Sequence, residues 1–139
     1  MKHIRSYSEQ DLKDILLEVN DVGFSTIMGE YSTDINCILI RASEGVYSPP
    51  SINDWIYQIG KKDNQIIIKT KREEKINNIN NIVKDCLLRL KDYLGDRYIK
   101  CKIYYFDKST SYYKSELIKL KEDMILNEAI VGIEFYYYK

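Results

Sequence analysis

The sequence predicts a single α+β domain over residues 1–139, a mixed β-sheet of about five strands covered by two or three helices. Three observations lead there. The 139 residues and 16.5 kDa suit one core, and two cores would each be too small to be stable. Two segments carry apolar residues at the spacing of a helix that buries one face. Several others carry apolar runs or alternations of strand length. A hydrophobic fraction of 45%, a charged fraction of 30% and a mean hydropathy of -0.40 are those of a globular chain and exclude disorder of the whole.

The first helix opens at Ser8, with Asp11 three residues on, and Leu12, Ile15, Leu16 and Val19 follow at i, i+3, i+4, i+7. Lys13, Asp14, Glu18 and Asp21 make the other face polar, and Gly23 ends the helix. Phe24–Met28 and Asn36–Ala42 read as strands joined by the turn-forming Gly29–Asp34. The run Cys37-Ile38-Leu39-Ile40 marks the second as a candidate central strand. The pattern lapses from Ser43 to Gly60, where Pro49-Pro50 forces extended backbone. Gln65–Lys69 reads as a strand through Ile66-Ile67-Ile68. Thr70 and Glu73 then cap a long helix with Ile76, Ile79, Val83, Cys86, Leu87, Leu90 and Leu94 as its stripe, ending at Gly95. Asn77, Asn78, Asn80 and Asn81 are poor helix formers and weaken its first turns. In Tyr98–Phe106, Ile99, Cys101, Ile103 and Tyr105 alternate with Lys100, Lys102 and Tyr104, a strand with one wet and one dry face. Ser111 caps a third helix through Tyr113, Leu117, Leu120 and Met124, although Glu116–Lys121 also fits a short strand. Ile130–Tyr138 is the last strand.

The 21 basic and 21 acidic side chains balance, which removes the global attraction behind sequence-independent DNA binding. No apolar run approaches the roughly 18 residues of a membrane-spanning helix, and no apolar run follows the charged start, so neither a membrane nor a signal peptide is expected. Cys37, Cys86 and Cys101 are odd in number, far apart and set in apolar patterns. They read as small buried hydrophobes of a reducing, cytoplasmic compartment, not as a disulfide frame or a zinc site.

The catalytic inventory is short. His3 is the one histidine, so triad, Cys-His and two-histidine chemistries lack their base. No phosphate-cradling glycine motif occurs. Glu73-Glu74 and Glu122-Asp123 are adjacent pairs, which on a helix point about 100° apart and do not converge on one metal. No catalytic residue, cofactor or metal is expected, and the chain reads as a non-enzyme.

Two surfaces remain. Lys69, Lys71, Arg72 and Lys75 form a basic patch within residues 61–75, diluted by Asp63, Glu73 and Glu74, and the tyrosines offer stacking rings for a nucleic acid. The 13 Tyr and the single Trp exceed what one small core absorbs, and such residues favour protein interfaces. Tyr47, Trp55, Tyr57, Tyr136 and Tyr138 are the candidate interface.

The segment Asp11-Leu12-Lys13-Asp14-Ile15-Leu16-Leu17-Glu18-Val19-Asn20-Asp21-Val22-Gly23-Phe24, a helix ending in Gly-Phe and leading into a strand, resembles the start of small accessory proteins of AT-rich tailed bacteriophages. It covers about a tenth of the chain and carries over no catalytic residue. The element order is also similar to that of small neck and tail-completion proteins, whose subunits assemble into rings. The resemblance implies a virion or phage accessory component, made in the cytoplasm and incorporated in the particle. A non-enzymatic interaction or assembly protein that binds itself or other virion proteins is therefore the expectation, with a nucleic-acid-associated accessory protein using residues 61–75 as the alternative.

Overall fold

The computed structural model describes residues 8–43, 46, 64–107, 110, 112–126 and 128–139, with side chains of the long helix described from Glu74 onward. Helix α1 (Glu9–Asp21) begins where expected: Ser8 takes an extended backbone, and its Oγ accepts a hydrogen bond from the Asp11 N–H at 3.1 Å. Glu9 and Asp11 place negative charge at the positive end of the helix dipole. The chain leaves α1 through Gly23, whose φ of 108° lies where a side chain is strained. A Cβ there would also stand 2.7 Å from a methyl of Val46.

Strands β1 (Phe24–Glu30) and β2 (Ile35–Ala42) form an antiparallel hairpin. Helix α2 (Asn64–Leu94) is followed by a single 3-10 turn at Gly95–Arg97. Then come β3 (Tyr98–Asp107), β4 (Tyr112–Ile118) and β5 (Ile130–Tyr138). The sheet order is β1-β2-β5-β3-β4. The α+β class, the two principal helices and four of the five strands are where the sequence predicts them.

Four details differ. All four pairings are antiparallel, so the sheet is not mixed. The central strand is β5 rather than Asn36–Ala42, which lies one place toward the edge. Gln65–Lys69 belongs to α2, not to a strand. A run of three isoleucines has no period of its own, and a helix already nucleated downstream extends into it at the cost of propagation alone. Tyr113, Leu117, Leu120 and Met124 do not form a third helix: Tyr112–Ile118 is β4, Leu120 and Met124 lie beyond it, and the expected cap Ser111 lies outside the described residues. Tyr113 and Leu117 are four residues apart, a separation that puts two side chains on the same face of either a helix or a strand.

Both helices cover one face of the sheet. Leu12, Leu16 and Val19 of α1 and Ile79, Val83, Cys86, Leu87, Leu90 and Leu94 of α2 join one buried cluster with Ile38, Ile40, Cys101, Ile103, Ile133, Phe135 and Tyr137. Each fully buried aliphatic or aromatic side chain contributes roughly 1.5–3 kcal/mol relative to exposure. The pairs Asp11–Tyr93 and Ile15–Cys86 run in opposite directions, so α1 and α2 pack antiparallel. The Tyr93 hydroxyl donates to Asp11 at 2.8 Å, and the Cys86 thiol faces the Ile15 carbonyl at 3.6 Å. Glu18 and Arg89 close the same seam with an ion pair.

Among the described residues Asn80 is the buried polar residue of the core, 2% exposed. Its amide donates to the carbonyls of Leu126 at 3.0 Å and Glu128 at 2.8 Å, and Lys91 donates to that of Leu120 at 3.0 Å. The segment between β4 and β5 is thus tied to α2 at both ends. No helix among the described residues is long and apolar enough to cross a membrane.

Candidate functional site: the uncovered face of the sheet

Side chains alternate across a strand, so the residues between the core positions point away from both helices, onto a face that is uncovered among the described residues. The pairing register aligns them into rows. One row crosses all five strands as Ile27, Leu39, Glu134, Lys102 and Leu117, and a second runs Ser25, Arg41, Gly132, Tyr104 and Ser115. A third holds Gly29, Cys37, Tyr136 and Lys100. The two ends of the first row are open to solvent, Ile27 at 60% and Leu117 at 64% exposure, and Tyr113 on the same face of β4 is 70% exposed.

Glu134 organises the centre. The hydroxyls of Tyr104 and Tyr136 both donate to its Oε1 at 3.0 Å, so the carboxylate is satisfied where it stands. Lys100 Nζ lies 5.0 Å from the Tyr136 ring centre and Lys102 Nζ 5.4 Å from that of Tyr104, the geometry of a cation over a π-face. The Tyr31 ring meets Tyr136 edge-on at 5.0 Å. Tyr104 packs across Gly132, 3.6 Å from where a Cβ would stand. Burial first, and then Glu134, hold the Tyr136 phenol above its ordinary range. The same two causes raise the Cys37 thiol, which is therefore a poor nucleophile.

The structure scatters the residues that the sequence singles out. Tyr136 is on this face but only 8% exposed, covered by Tyr31 and Lys100, while Tyr138 at the end of β5 is exposed. Tyr137 points into the core between them. Tyr47, Trp55 and Tyr57 lie outside the described residues, as do the side chains of Lys69, Lys71 and Arg72, whose backbone is part of α2. Lys75 is exposed on α2, in the layer on the other side of the sheet from Tyr104 and Tyr136, so these do not share one groove. The row from Ile27 to Leu117 escapes a reading of the sequence alone. Its signal is Glu134, the lone charge in a nine-residue strand that is otherwise apolar or aromatic.

Other surfaces offer less chemistry. A cleft of about 520 Å³ at one end of the sheet is lined by Glu9, Glu30, Asn36, Arg97 and Lys139 among others, and Glu30 is paired with Lys139 at 2.8 Å. Among the described residues no three His, Cys, Asp or Glu side chains gather as a metal site would need. Cys86 and Cys101 are buried free thiols, each pushed up to about 12 by burial. No family model, curated protein or solved structure matches the chain.

Proposed function

We propose that the chain is a non-enzymatic interaction protein that docks an apolar surface of a partner protein on the uncovered face of its sheet. The observation that carries this reading is the five-strand row with exposed Ile27 and Leu117 at its ends and a hydrogen-bonded carboxylate at its centre. Apolar residues at the rim gain by leaving water. Glu134 already has its partners, so covering it costs far less than burying a bare charge. The resemblance of residues 11–24 to phage accessory proteins supports the same class of function, with virion components as partners.

A nucleic acid fits this face less well. A carboxylate at its centre repels phosphate, the ring of Tyr136 is covered, and the chain has no net positive charge. A photo-crosslinking residue at Ile27, compared with one at the exposed Lys13 of α1, tests the reading in native lysate. A discrete protein adduct at position 27, absent at 13 and lost when Leu39 is changed to Lys, is the expected result. No adduct at 27, together with salt-sensitive oligonucleotide binding that Lys102→Glu abolishes, would replace it with the nucleic-acid reading.

A further inference from the structure

The sheet has two edges, and β4 is unlike β1. Residues Tyr112–Leu117 are all exposed, and among the described residues β4 pairs only with β3, which leaves a row of backbone donors and acceptors facing outward. Natural proteins blunt such an edge with proline, a bulge or lone charges, because it templates pairing with another chain. Tyr112–Ile118 contains no proline, glycine or bulge. Its two charges, Lys114 and Glu116, are of opposite sign and flank Ser115.

That pattern is self-complementary. When two β4 strands lie antiparallel about a two-fold axis at Ser115, Lys114 of each copy stands opposite Glu116 of the other, and Tyr113 stands opposite Leu117. Opposite charges and aromatic–aliphatic pairs directly across an antiparallel ladder are favourable, and an isologous contact closes after two copies. Lys114 is already held on this edge by Asp107 at 2.7 Å, so little side-chain freedom is lost when a second carboxylate arrives. The β1 edge has no such symmetry, since the same operation about Ile27 sets Phe24 against Glu30.

We propose that β4 is a homodimerisation edge, pairing with β4 of a second copy about Ser115 to join the two sheets into one. This shares Tyr113 and Leu117 with the face argued above, but its register is set by Lys114 and Glu116 on the other face of β4, so either can fail alone.

Charge reversal tests the register. Light scattering over a concentration series should show the mass rising toward twice the 16.5 kDa of the chain. Lys114→Glu and Glu116→Lys should each weaken dimerisation about tenfold or more, because each sets two like-charge pairs in the ladder. The double variant should recover it. An equimolar mixture of the two single variants should form a mixed dimer, which also shows that both fold. A strictly monomeric chain, a dimer indifferent to both reversals or a mixture that fails to pair would overturn the proposal. Ile27→Lys should leave the dimer intact. If it alone dissociates the copies, they meet through the uncovered face instead.

Discussion

Replacing Asn80 separates the polar tie in the core from the packing around it. Asn80→Ala removes the donors to the Leu126 and Glu128 carbonyls. At about 1 kcal/mol net per hydrogen bond the loss is about 2 kcal/mol, and the better helix propensity of Ala returns about 0.5. Asn80→Asp keeps the shape but turns a carboxylate oxygen toward two carbonyl oxygens at 2% exposure, and a buried charge that faces acceptors should cost about 3–5 kcal/mol. With an unfolding entropy of about 2.1 cal/mol/K per residue, a chain of 139 residues loses about 3–4 °C of Tm per kcal/mol, so Ala should lower Tm by about 5 °C and Asp by about 10 °C or more. Melting followed by far-UV circular dichroism at neutral pH checks the order. In mild acid the carboxyl introduced by Asn80→Asp takes up a proton and regains one donor, and the gap between the two variants should narrow. Melting temperatures for both variants within about 2 °C of the parent, or an Asp no worse than Ala at neutral pH, would refute the idea that this amide holds the segment between β4 and β5.

Leu16 is fully buried in the cluster that joins α1 to the sheet, and Leu16→Asp should prevent soluble folding, since a buried unpaired charge costs several kcal/mol, about the stability of a domain; a cooperative melt near the parent's would contradict its placement. Gly23→Ala meets both a positive φ and the Val46 methyl, and should lower stability by about 2 kcal/mol, read from the urea midpoint at unchanged m value. The Cys86 and Cys101 thiols, pushed up to about 12 in the fold, stay protonated where the unfolded chain ionises near 9. The unfolded state then binds fewer protons, so stability should be full below about pH 9 and fall between about pH 9 and 12, by about 2 kcal/mol per thiol at about pH 10.5. The Cys86→Ala, Cys101→Ala double variant should flatten that fall in urea titrations across the range, and an unchanged slope would count against these thiols as its cause.

The expected alkaline sensitivity and the Asn80 tie have a common origin in how tightly α2 seats on the sheet. Its stripe from Ile76 to Leu94 leaves one polar position in the buried face, and that position is used to fasten a segment 46 residues away in sequence. Asn80 reads in the sequence only as a weak helix former. The helix is held by packing, so the local cost of an asparagine is tolerated where its amide serves a distant backbone.

Wherever the signal is local and periodic, the sequence alone determined the element. The cap at Ser8 with the stripe Leu12, Ile15, Leu16 and Val19 and the seven apolar positions from Ile76 to Leu94 each admit one period and form as it requires, while the alternation in Tyr98–Phe106 forms a strand whose register shifts at Tyr98/Lys100 and at Tyr104/Tyr105. Ile66–Ile68 and Tyr113–Leu117 admit two, and the choice fell to their surroundings: a continuing helix for the first, the free edge of β3 for the second. Strand order and the uncovered face belong to the tertiary structure alone. Ile27, Leu39, Glu134, Lys102 and Leu117 are scattered along most of the chain, and only the register of four antiparallel pairings sets them side by side. Backbone hydrogen bonds between strands carry no record of their partner in either strand's own sequence, so the row that forms the candidate site could not be read before the sheet was assembled.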